Sequence, residues 1–150
     1  MIRLERLQVY DIEQVVNLSD EFNDLYGVSS KFNKAKARSL FEAAVVYTSR
    51  YFCIVMKDDQ KVVGFLLGFS SEHSYTDDVL AGEIGWYVQE DYRKTASSVM
   101  MLKEFEYWAK EEAKAQYVTM SYTEEMSDLS KLYTRLGYSP AEYTYKKSLK

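Results

Sequence analysis

A mixed β-sheet covered by helices on both faces, in the α/β (α+β) class, is the fold the sequence predicts, and three observations predict it. Apolar spacing is helical in the first third of the chain, has period two in the middle, and turns helical again afterwards. Two β-rich runs, Tyr51 to Met56 and Val62 to Phe69, flank the polar stretch Lys57-Asp58-Asp59-Gln60-Lys61, which marks an antiparallel hairpin. Strand–helix–strand units follow in the C-terminal half and imply parallel pairing.

Taken in order, Ile2 to Leu7 reads as a short strand. Asp11 is placed to cap a helix whose Ile12, Val15, Val16, Leu18, Phe22, Leu25 and Tyr26 keep helical spacing up to Gly27. Asn33 is placed to cap a second helix with Ala37, Leu40, Phe41, Ala44 and Val45 on one face. After the hairpin, a loop rich in Ser, His and Asp (Ser70 to Asp78) leads into a third β-rich run, Leu80 to Val88. A long helix from Ala96 to Lys114 carries Val99, Leu102, Phe105, Glu106 and Ala109 near helical spacing. Gln116 to Ser121 is the next strand, and Asp128 to Leu136 a short helix ended by Gly137, where a left-handed residue stops a helix. Tyr143 to Lys147 closes as a strand, so the order is β-α-α-β-β-β-α-β-α-β. No repeat, low-complexity tract or linker interrupts it, and residues 1–150 are expected to form one domain.

The formal net charge of −4, with Lys and Arg scattered among more numerous carboxylates, gives no basic face for nucleic acid and suits a cationic partner better. No apolar run approaches the roughly 18 residues of a membrane span, and MIRLERLQVYDIEQ lacks the apolar core of a signal peptide. The single Cys53 forbids an internal disulfide; together these predict a cytoplasmic protein without a membrane partner. Cys53 itself, between Phe52 and Ile54, reads as a core residue. His73 is the only histidine and has no neighbouring ligands, so no metal site is expected. Trp108 and Phe105 read as a helix core face.

Chemistry concentrates where the third β-rich run hands over to the long helix, at Arg93-Lys94-Thr95-Ala96-Ser97-Ser98. A helix N-terminus offers unpaired N–H groups and a partial positive charge. Small side chains let an anion reach that backbone, while two cations and three hydroxyls add donors, an arrangement suited to a pyrophosphate. The same residues also read without a ligand, Thr95 or Ser97 capping the helix and Arg93 and Lys94 as solvated loop charges.

The order of elements and the segment EIGWYVQEDYRKTASSVMMLKEFEYWAK resemble the GNAT superfamily of N-acetyltransferases, in which Arg/Gln-x-x-Gly-x-Gly/Ala opens the helix after such a strand. Here Ala96 and Ser98 occupy the two glycine positions. The resemblance implies that Arg93, Lys94, Thr95, Ala96, Ser97 and Ser98 hold the pyrophosphate of acetyl-CoA. Backbone near Trp86, Tyr87 and Val88 would hold its acetyl and pantetheine portions, after a splay of the strand beyond Trp86. Tyr133, four residues before Gly137-Tyr138, matches the family's proton donor to the departing thiolate; the other reading of Tyr133 is packing. Glu83 matches the position of the base that receives the amine proton; its alternative is a salt-bridge partner. Period two would put Glu83 on one face with Gly85 and Tyr87. Tyr122, Thr123 and Ser127 are placed to touch the pantetheine, and Phe22, Tyr26, Phe32 and the His73–Asp78 loop to border an acceptor groove.

The implied activity is transfer of an acetyl group from acetyl-CoA to a primary amine, without a metal, by direct attack in a ternary complex. The alternative is a catalytically inactive protein of the same fold that binds coenzyme A or protein partners, favoured by the substituted glycines. Exposed aromatics and the family's habit make a homodimer a reasonable assembly.

Overall fold

The computed structural model describes residues 1–26 and 30–150; Gly27, the expected stop of the first helix, lies outside the described residues. Its sheet runs β1 (Ile2–Arg6), β2 (Tyr51–Asp58), β3 (Lys61–Glu72), β4 (Val79–Val88), β5 (Tyr117–Thr119), in that spatial order. The first four strands pair antiparallel and β4 pairs parallel with β5, which gives the mixed sheet expected from the hairpin and the strand–helix–strand unit. Asp59 takes the left-handed conformation (φ 53°) in the tight β2–β3 turn, where Asp is tolerated.

Helices α1 (Ile12–Leu25) and α2 (Lys34–Val46) cover one face. Val15, Val16, Leu18, Phe41 and Ala44 pack there against Cys53, Val55, Phe65 and Leu67. On the other face, α3 (Ala96–Glu111) sets Met101, Leu102, Phe105, Trp108 and Ala109 on Phe52, Ile54, Met56, Val63 and Leu66. Strict alternation along β2 and β3 divides these residues between the two faces. The short α4 (Ser130–Arg135) brings Tyr133 to the α3 side, and Gly137 follows it at φ 93°, the left-handed stop read from the sequence.

Caps separate into one expected and one not. Asn33 Oδ1 accepts from Lys36 N–H at 3.0 Å and starts α2 as predicted. Asp11 makes no side-chain cap to α1. It closes a 3-10 turn (Val9–Asp11), accepting from Gln8 N–H at 3.1 Å, and meets Lys57 Nζ at 2.7 Å. Asp11 and Lys57 are 1% and 2% exposed, so the charge is buried with its counter-charge, and the ion pair takes the carboxylate a cap would have used.

The closing strand is absent. Residues 139–150 carry no regular structure, and Tyr143 and Tyr145 are 84% and 94% exposed. A period-two pattern describes a strand's faces, but a strand also needs an edge to bond, and β5 offers three residues.

Candidate active site

Two irregularities in β4 build the site. The β3–β4 register pairs Leu67 with Gly85 but Gly68 with Glu83, so Ile84 is an extra, bulged residue. The bulge reverses the alternation, and this corrects the face expected for Glu83. Tyr87 stays with Phe65 and Leu67 on the α1 face, whereas Glu83 follows Ala81 and Gly68 to the α3 face. Gly68 has to be glycine, since a Cβ there would lie 2.3 Å from Phe105 Cε1. The second irregularity is the parting of β4 from β5 after the pair Gly82–Thr119, earlier than the splay beyond Trp86 that was expected. From Glu83 onward, β4 turns an edge without a β5 partner toward the gap.

Glu83, Ser121 and Tyr133 meet in that gap. Ser121 donates its N–H to Glu83 Oε1 at 3.2 Å, and its hydroxyl donates to the same oxygen. The Tyr133 hydroxyl donates to the Ser121 carbonyl at 3.0 Å. Burial raises the Glu83 carboxyl above the usual range, only partly offset by the two Ser121 donors. Burial, then the nearby Glu83 charge and the Tyr138 and Tyr122 phenols, push the Tyr133 hydroxyl up, so it stays protonated. Sequence reasoning missed Ser121, because nothing local distinguishes one serine after a strand.

A cavity of about 170 Å³ opens here, lined by Phe22, Tyr26, Glu83, Ile84, Trp86, Ser121, Tyr122, Thr123, Met126, Leu129 and Tyr133. Phe22 and Tyr26 border it as expected; Phe32 packs instead against the core on the α1 face, and the His73–Asp78 loop contributes no described lining residue. Trp86 Nε1 is buried without an acceptor among the described residues. Tyr87 is spoken for elsewhere: its hydroxyl donates to Glu21 Oε1 at 2.7 Å, and burial together with Glu21 pushes it up to about 12.

At the start of α3, Thr95 is the cap, accepting from Ser98 N–H at 3.3 Å. Ala96 is the first helical residue, a conformation a Cβ accepts, and the left-handed position falls on Lys94 (φ 58°). Ser97 is partly buried and Ser98 buried against the Thr95 cap. The first N–H groups of the helix, at Ala96 and Ser97, have no intrahelical acceptor. Arg93 Nε donates to the Val88 carbonyl at 2.5 Å, and its guanidinium lies 5.5 Å from the Tyr87 ring centroid. Lys94 is exposed beside the helix start.

The sequence model of the acetyltransferase (GNAT) family matches residues 13–138, which takes in both irregularities of β4, the start of α3 and Tyr133. This chain belongs to that family. Solved structures share its fold across almost the full length. One is the ribosomal-protein-alanine N-acetyltransferase of Brucella melitensis biovar Abortus 2308 (14% identity, 99% of each chain, TM-score 0.77). Another is glucosamine-6-phosphate N-acetyltransferase of Arabidopsis thaliana (12% identity, 100% of this chain and 99% of that one, TM-score 0.77). A third is AAC(6')-Iy in complex with the bisubstrate analog CoA-S-monomethyl-acetylneamine (12% identity, 99% of each chain, TM-score 0.75). No curated protein sequence matches this GNAT chain. No helix among its described residues is long and apolar enough to cross a membrane, and none of them form a metal-binding cluster.

Proposed function

We infer that the protein is an acetyl-CoA-dependent N-acetyltransferase, one domain over its whole length, acting on a primary amine. The observation that carries the reading is the gap between β4 and β5, with Glu83 and Tyr133 joined through Ser121 on its wall. The parted β4 edge and the buried donor of Trp86 suit the acetyl and pantetheine portions of acetyl-CoA. The free N–H groups at Ala96 and Ser97, with Lys94, suit its pyrophosphate. Arg93 then acts as a clip that fixes the turn before α3.

A primary amine with a pKa of about 10.4 reaches the site as an ammonium ion. Glu83, whose raised pKa makes it a better base than a surface carboxylate, receives a proton directly or through water and passes it to solvent. The amine nitrogen forms the C–N bond to the acetyl carbonyl carbon as the C–S bond breaks. Of the three ammonium protons, the amide keeps one and one leaves to solvent. The third balances the proton that Tyr133 gives to the departing sulfur. Holding both reactants in one cleft supplies much of the acceleration.

One observation favours a second reading, a family member that has lost transfer: Ala96 and Ser98 stand at the two motif glycine positions. Calorimetric titration with acetyl-CoA, followed by release of free thiol on adding amines, decides between them. Micromolar binding, weakened about tenfold by Lys94→Glu, and amine-dependent thiol release are expected. A folded protein that binds no acetyl-CoA overturns the proposal.

A further inference from the structure

The acceptor end of the cavity has a composition that narrows the amine, and the following rests on the transferase reading above. Phe22 on α1 and Tyr26 just past its end reach the cavity on the opposite side from Tyr133 on α4, with Ile84 and Trp86 of β4 between them. The Phe22 and Tyr26 rings are held in place. Phe22 lies 5.3 Å from Tyr26, 5.6 Å from Tyr87 and 6.3 Å edge-on from Phe65, so this wall is ordered by the core behind it.

The charge on the wall is as informative as its shape. Among the described lining residues Glu83 is the sole carboxylate, and none is Lys, Arg or His. A phosphorylated acceptor would bring an anion that no lining cation meets. A polyamine or aminoglycoside would bring several ammonium groups to a wall with one carboxylate, leaving the others desolvated without partners. A single ammonium finds both Glu83 and aromatic faces.

We propose that the acceptor is a monoamine on a compact apolar or aromatic body, the body resting against Phe22, Tyr26 and Trp86 and the amino group directed to Glu83. The test uses the full chain with acetyl-CoA and four probes: 2-phenylethylamine, spermidine, neamine and glucosamine 6-phosphate. Thiol release gives kcat/KM for each. A preference of about tenfold or more for 2-phenylethylamine is expected. Tyr26→Ala should raise its KM about tenfold, with Tyr26→Phe restoring it and the calorimetric Kd for acetyl-CoA unchanged. Phe22→Leu, which keeps an apolar side chain in the core, should give a KM effect of the same sign.

Transfer that favours spermidine, neamine or glucosamine 6-phosphate overturns the acceptor class and leaves the transferase reading standing. A preference for 2-phenylethylamine that neither the Phe22 nor the Tyr26 variant alters overturns the assigned wall. Tight acetyl-CoA binding with no transfer to any of the four, or to a broader set of simple amines, removes the transferase reading and this inference with it.

Discussion

Asp11 and Glu83 are both carboxylates drawn away from water, and their partners differ in kind. Asp11 meets Lys57 Nζ at 2.7 Å, and Lys57 also meets Glu5 at 2.9 Å, so charge is matched by charge. Burial lowers the Lys57 pKa, but the hydrogen bonds its ammonium donates to Asp11 and Glu5 outweigh that and raise it above its ordinary value, so Lys57 stays charged at neutral pH. Among the described residues Glu83 meets only the neutral donors of Ser121, and burial lifts its pKa. A buried carboxylate with its own cation holds structure; one without is poised to exchange a proton.

Breaking the first cluster should have the largest effect on stability. Lys57→Met leaves Asp11 buried without a cation and should cost about 3–5 kcal/mol in urea unfolding, while coenzyme affinity of the folded fraction stays unchanged. Gly68→Ala acts beside the second: a Cβ driven into Phe105 should cost about 1–3 kcal/mol and disturb the bulge that presents Glu83.

Glu83→Gln sharpens the contrast through pH. Because Glu83 has a folded pKa above its unfolded one, its contribution to stability is fully present below about pH 4 and is lost as pH rises through the folded value. The melting temperature of Glu83→Gln relative to wild type should therefore climb from about pH 3 to pH 8. A flat difference would mean that Glu83 is not desolvated. Ser121→Ala is the mildest change. Loss of a donor to the charged form should raise the Glu83 pKa further and move the acid limb of the transfer rate upward, slightly, because Ser121 is exposed and water replaces its hydroxyl.

Much of the fold was legible because it rests on local periodicity. The spacing of Val15, Val16 and Leu18, the Asn33 cap and the Asp59 turn each carry their own signal, and each formed. What stayed hidden depends on partners distant in sequence. Asp11 has the look of a helix cap until Lys57, 46 positions away, claims it. Tyr143 and Tyr145 alternate as a strand does, yet nothing in that stretch reveals whether an edge is free to receive them. The site was legible in its residue types and not in their geometry. Glu83, Tyr133, Phe22 and Tyr26 border one cavity, but the extra residue at Ile84 puts Glu83 on the face opposite to the one its spacing predicts. Arg93 Nε donates to the carbonyl of Val88, five residues earlier at the end of β4, a contact that no local pattern announces.

Tyr133 joins the two ideas, since it packs in the core at 7% exposure and also donates into the Glu83–Ser121 pair. The most direct measurement is the rate of acetyl transfer by Tyr133→Phe, alongside its calorimetric affinity for acetyl-CoA. A rate lower by about 10²–10⁴ with affinity and melting temperature close to wild type is the expected result. An unchanged rate in a folded variant would contradict the assignment of Tyr133 as the proton donor and leave it a packing residue.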